Sequence, residues 1–131
     1  MTPTAAGVVD VRSHYAVAET VERLASLVEA RGLTIFARID FSGDAARAGL
    51  FMRPMQMLLF GAPKAGTPLL VASPRSGLDL PLKALAWEDA DAAVWVSFNA
   101  PEYLESRHAF PHELVANIAG IRALVEQAAA P

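Results

Sequence analysis

Residues 17 to 41, VAETVERLASLVEARGLTIFARIDF, change their period partway through, and that change decides the fold. Val17, Val21, Leu24 and Val28 recur at spacings of four, three and four, which lays one apolar stripe along a helix while Glu19, Glu22, Arg23 and Glu29 fall off it. Gly32 supplies a left-handed cap, and the chain turns directly into Leu33 to Phe41, a β-branched and aromatic run. Plain alternation predicts a strand there, with Ile35, Ala37 and Ile39 on one face and Phe36, Arg38 and Asp40 on the other. A helix with one oily stripe, followed by a strand, needs a sheet to lie on.

Working outward, Val8 to Ser13 alternate behind Gly7 and predict a first strand of about eight residues that ends near Tyr15. On the other side, Ser42, Gly43 and Asp44 are turn or N-cap residues, and Ala45 to Gly49 make one or two helical turns. Pro54 precedes a third strand, Met55 to Phe60. Gly61 to Pro68 is expected to be a loop in which Thr67 caps a short helix opened by Pro68 and stopped by Pro74. A fourth strand is expected over Asp79 to Glu88 and a fifth over Ala92 to Asn99, joined by a hairpin at Asp89 to Asp91. A short helical turn covers Tyr103 to His108. Pro111 then opens a final helix carrying Leu114, Ile118, Ile121, Val125 and Ala128 at spacings of four, three, four and three. The expectation is an α+β fold of one domain over residues 1–131: an antiparallel-rich five-stranded sheet backed by two long helices, in the order β-α-β-β-(short α)-β-β-α.

Composition narrows the function. With no cysteine among 131 residues, disulfides, thiolate metal sites and thiol nucleophiles are excluded. The formal net charge is −3 and the 11 Lys and Arg are scattered, so a nucleic-acid partner is not expected. Met1 to Gly7 lack the basic start and apolar core of a secretion signal, and no apolar run is long enough to span a membrane, which points to a cytoplasmic protein. Hydrophobic residues make up 53% and the mean hydropathy is +0.31, more apolar surface than a small core can cover, so a homodimer is expected to absorb the excess.

Three segments, Gly49-Leu50-Phe51-Met52-Arg53-Pro54, Phe60 to Leu70 and Asp79-Leu80-Pro81-Leu82-Lys83-Ala84-Leu85, resemble the uncharacterised family catalogued as domain of unknown function 302. Flanking matches run from Gly32-Leu33 through Ile39-Asp40, at Trp87-Glu88-Asp89 and at Arg107-His108, so the resemblance spans about residues 8–127. It implies a fold of the TATA-binding-protein-like α+β class, a curved sheet backed by helices, and commonly a homodimer; it implies no activity. Phe41 stands where that family's pattern has histidine, and Ala62 where it has asparagine. Each exchange removes a hydrogen-bonding side chain.

The candidate residues are weighed against plainer roles. Gly61 to Pro68, with Lys64, has the look of an anion cradle, yet Lys64 precedes the second glycine, and Pro63 and Pro68 remove donors, so a structural turn is the preferred reading. Asp40 and Asp79 are the acids placed to act as general base, or equally to cap a turn or pair with Arg38, Arg53 or Lys83. Glu88, Asp89 and Asp91 read as solvated hairpin acids rather than a cation site. His108 and His112 have metal-ligand spacing, but Pro111 intervenes; His14 reads as a surface or capping residue; Met52, Met55 and Met57 read as packing rather than soft-metal ligands. No serine sits in a Gly-x-Ser-x-Gly elbow. The leading expectation is a homodimeric binding module with no cofactor or metal. Its apolar cleft near Phe41, Met55, Gly61, Ala62, Lys64 and Asp79 accepts a small-molecule ligand or a partner segment. The alternatives are an enzyme using Asp40 or Asp79 with Lys64 in one pocket, and a soft-metal or haem protein using His108 and the methionines.

Overall fold

Helix α1 (Val17–Ala30) buries Val17, Val21, Leu24 and Val28, the four positions of the predicted stripe. It ends as a Schellman motif: Gly32, at φ +73°, donates to the Glu29 carbonyl and Leu33 donates to the Val28 carbonyl. The computed structural model describes residues 5–131. On either side of α1 lie strands β1 (Val8–Ser13) and β2 (Thr34–Asp40), and three further strands separate them: β3 (Met55–Gly61), β4 (Leu82–Glu88) and β5 (Val94–Asn99). Their order across the sheet is β1-β5-β4-β3-β2, with every neighbouring pair antiparallel. Because β1 and β2 form the two edges, α1 must cross the whole sheet. Four strand spacings amount to about 19 Å, and the 14 residues of α1 extend about 21 Å.

Helix α5 (Ile121–Ala129) lies beside α1 on the same face, and its Ile121, Leu124, Val125 and Ala128 are buried. Under both helices the sheet contributes Leu58, Phe60, Ala84, Ala86, Val94, Val96 and Phe98. A second, smaller core of Leu69, Leu104, Phe110 and Ile118 forms at one end of the sheet. There helix α3 (Pro63–Ala72), helix α4 (Pro101–His108) and two 3-10 turns, Pro74–Leu78 and His112–Asn117, gather beside the ends of β3 and β5. Gly7 is obligatory at that end. Its φ is +75°, and a Cβ would sit 2.2 Å from the Tyr103 ring.

The structure corrects four expectations. Phe36 is an extra residue in β2: Ile35 pairs with Phe60 and Ala37 with Leu59, so the bulge moves Ala37 and Ile39 to the face opposite Ile35. Arg38 then lies on the helix side, where it pairs with Glu22 of α1. The loop predicted at residues 61–68 is largely helix. With Pro63 at its first position, α3 begins five residues before the predicted start and continues through Pro68, while Ala65 and Gly66 both donate to the Ala62 carbonyl. The final helix starts at Ile121 and not near Pro111, because Leu114 in the 3-10 segment and Ile118 at its end turn toward the smaller core. Strand β4 begins at Leu82, after the imide nitrogen of Pro81 and with Asp79 held by side chains of α4. The short helix α2 (Phe41–Arg47) falls where turn residues and helical turns were expected.

Phe60 is fully buried between α1 and the sheet, whereas Phe51 is 92% exposed. Phe60→Ala is expected to cost about 3–5 kcal/mol in urea unfolding, and Phe51→Ala less than about 0.5 kcal/mol. Equal losses would overturn this assignment of the core.

Candidate functional site

A cleft of about 300 Å³ opens at the end of the sheet that carries α3. One wall is the sheet, with Gly61, Leu82 and the bulged Phe36; another is α3, with Ala62, Pro63, Ala65, Gly66, Thr67 and Leu70. Leu80 and Pro81 close it before β4, and Asn117 and Ile118 close it from the second 3-10 turn. Only Thr67 and Asn117 bring polar side chains, and none of the lining residues is charged. Asn117 Nδ2 donates to the Ala65 carbonyl at 3.0 Å, tying the 3-10 turn to α3. Such a cleft can hold a small, largely apolar molecule and offers a few polar groups to orient it.

The predicted site residues do not all meet here. Gly61 and Ala62 line the cleft, and Asp79 is next to its Leu80–Pro81 wall. Lys64 lies on the exposed side of α3 and is not among the lining residues. Phe41 and Met55 stand at the opposite end of β3 from Gly61. At six rises of about 3.4 Å each, that is about 20 Å away. Asp40 belongs to that far end as well, since it pairs with Gln56, so it shares no pocket with Lys64.

Each acid has a structural occupation. Asp40 is the N-cap of α2: its Oδ1 accepts from the Gly43 amide and the Ser42 hydroxyl, both at 2.9 Å. Those donors, the Gly43 amide first, hold its carboxyl below the usual range. Asp89 closes the hairpin by accepting from Trp95 Nε1 and from the amides of Ala93 and Asp91, and its carboxyl is lowered in the same way, with the Trp95 bond the largest cause. Asp79 Oδ2 accepts from His108 Nε2 at 2.5 Å and from Arg107 at 2.9 Å, which anchors the end of α4 to the approach of β4. Nearby, burial holds the Lys83 ammonium below the usual lysine range, and the charge of Asp79 works against that shift.

His112 pairs with Glu105, so the two histidines face different carboxylates. Met55 and Met57 lie on the sheet face turned away from α1, remote from His108 in the smaller core. Among the described residues no group of three or more His, Cys, Asp or Glu is placed to hold a metal ion.

Sequence reasoning missed Phe36, Leu70 and Asn117. A bulge parity signal existed for the first, since Ile35 and Phe36 are both large and apolar in a strand exposed at the edge. Asn117 lay within a span that periodicity reads as helix, and nothing in the spacing marks it.

A helix-backed, five-stranded antiparallel sheet with an apolar end cleft places the chain in the α+β class. More specifically, residues 9–128 match the family described as Domain of unknown function DUF302, and the chain belongs to that family. The crystal structure of an uncharacterized conserved protein DUF302 from Bacillus stearothermophilus shares the fold, with a TM-score of 0.81 and 21% identity over 96% of this chain and 100% of that one. A protein of Brucella suis biovar 1 (strain 1330) named Fluoride-specific ion channel FluC 1 is 43% identical over 102 residues, which cover 78% of this chain and 40% of that protein. The protein of the same name from Brucella abortus biovar 1 (strain 9-941) is also 43% identical over 102 residues, 38% of its length. The chain thus spans about two-fifths of the curated relatives it matches.

The structure gives the Ala62 exchange a physical meaning. Ala62 is the N-cap of α3 and its side chain makes no capping bond. The asparagine of the family pattern would accept from a free amide of the first turn. Ala62→Asn is therefore expected to stabilise the protein by about 0.5–2 kcal/mol in chemical denaturation. No gain would mean that the asparagine serves something other than the helix.

Proposed function

We propose that this chain is a non-catalytic binding module that takes a small, largely apolar molecule in the cleft at the sheet end and works as a homodimer in the cytoplasm. The observation that carries the reading is the cleft's lining, apolar except for Thr67 and Asn117. Burying apolar ligand surface there is favourable by about 25 cal/mol per Å², and there are few polar groups whose desolvation opposes it. The acid nearest the cleft, Asp79, has its Oδ2 taken by Arg107 and His108, and Lys64 points elsewhere, which favours binding over chemistry.

The dimer reading draws on the sheet face opposite α1 and α5. Ile39, Met57, Leu59, Leu85 and Trp87 are half-buried on it, on the opposite side of the sheet from the buried Leu58, Phe60, Ala84 and Ala86. Toward β1 this face turns polar, as Trp87 Nε1 donates to Ser97 Oγ and Ser97 Oγ to Asp10. An apolar half bordered by a satisfied polar half is the layout of an interface core and its rim. The scattered basic residues and net charge of −3 support a partner other than nucleic acid. Among the described residues no helix is long and apolar enough to cross a membrane.

Small neutral probes such as toluene or hexanol are expected to shift the amide resonances of Ala62, Thr67 and Leu70, and Ala65→Phe, which fills the cleft, is expected to abolish the shifts. Sedimentation is expected to show a dimer that Met57→Lys converts to monomer. Unmoved cleft resonances would remove the binding reading, and a monomer at every concentration would remove the dimer.

The Brucella relatives named fluoride-specific ion channels favour a second reading, in which the module is the extramembrane partner of such a channel. With no described helix able to span a bilayer, the chain would act on the channel from outside the pore. Added to vesicles holding the Brucella suis protein without its matching segment, this chain is expected to bind them and change fluoride efflux. Neither binding nor any change in rate would dismiss the reading.

A further inference from the structure

A second cavity of about 270 Å³ lies back to back with the cleft. Both are bounded by Gly61, Ala62, Ala65, Leu82, Asn117 and Ile118, so these residues form the partition. One exposed hydrogen bond pins it, from Asn117 Nδ2 to the Ala65 carbonyl, and a bond of that kind contributes little net stability. Beyond the partition the lining is apolar, with Leu33, Phe60, Ile121 and Leu124, except for Arg31 at the end of α1. Arg31 donates to the neutral Gln127 Oε1 at 3.2 Å and takes part in none of the ion pairs among the described residues. The two cavities together thus hold one charge, a guanidinium with no carboxylate on it.

We propose that the two cavities are one bipartite site for a medium-chain aliphatic carboxylate, with the chain in the cleft and the carboxylate on Arg31. The inference rests on the ligand-binding reading of the cleft and names the class of ligand. A guanidinium presents paired N–H donors that match the two oxygens of a carboxylate, and Gln127 beside it keeps its amide donors for the same anion. At about 30 Å³ for each water-sized group, the cleft has room for about ten carbons, more than the part of a medium chain that passes the partition from Arg31. The Asn117 bond opens to let the chain cross the partition, at small cost because the bond is exposed.

Isothermal titration with decanoate, below its micelle concentration, tests the assignment on the full chain. Decanoate is expected to bind about fifteenfold more tightly than octanoate, since each of its two further buried methylenes is worth roughly a factor of four. It is also expected to bind more tightly than decanol. Arg31→Gln, an exposed substitution, is expected to weaken decanoate about tenfold and leave decanol unchanged, and Ala65→Phe to block both. If decanol equals decanoate, or Arg31→Gln changes nothing, the carboxylate assignment falls while the cleft reading stands. If the Ala65→Phe variant still binds decanoate, the ligand sits elsewhere and the bipartite site is overturned. If neither ligand binds, the cleft reading falls with it.

Discussion

The structure depends on one helix having to bridge two sheet edges. Strands β1 and β2 are consecutive but end on opposite sides of the sheet, and α1 is the only connection between them. Its stripe of Val17, Val21, Leu24 and Val28 therefore runs over strands contributed by the rest of the chain and determines which face of every strand is dry. The hydroxyl pair Ser13 and Thr20, bonded at 2.7 Å and buried, holds the entry to that crossing. The Schellman cap at Gly32 holds its exit. Once α1 is placed, α5 has one remaining position beside it on the same face, and the opposite face is left without a long helix.

That asymmetry explains why the cleft lies where it does. Residues between β3 and β4, and again between β5 and α5, cannot return over the face that α1 and α5 occupy, so they pile up at one sheet end as α3, α4 and the two 3-10 turns. The lobe they form has only the small core of Leu69, Leu104, Phe110 and Ile118 and is tied to the sheet by polar means: Asp79 to His108 and Arg107, Ser73 to the His108 carbonyl, and Asn117 to the Ala65 carbonyl. Ties of this kind set distances without filling volume. Space is left between lobe and sheet, and it is lined by whatever apolar side chains the two surfaces present.

The elements that depend on spacing alone were legible before any coordinates. The stripe of α1, five strands, the hairpin at Asp89 and the burial of Ile118, Ile121, Val125 and Ala128 all follow from periods that each element imposes by itself. What could not be read depends on contacts between distant residues. Phe36 is the inserted residue of a bulge only because its partners Phe60 and Leu59 are adjacent. Pro68 looked like a helix start, but Pro63 had already opened that helix and a proline five positions in was tolerated. Of the candidate site, Gly61 stands out in the sequence for a loop with the look of an anion cradle and Ala62 for a departure from the family's pattern, and both line the cleft although a helix, not a loop, follows them. Phe41 and Met55 lie away from the cleft, a separation already implied by the predicted strand Met55 to Phe60, whose extended length sets its two ends about 17 Å apart.

Ala62 brings the structural and functional threads to one position. It caps α3 without a side-chain bond, it lines both cavities, and it stands where the pattern that the sequence resembles has asparagine. An asparagine there would spend its carbonyl on a backbone amide of α3 and bring an amide group to the wall of the cleft. Alanine gives up the cap and gains a wall that no polar ligand group is needed to satisfy. The exchange weakens the helix start and makes the partition between the cavities wholly apolar except for Asn117.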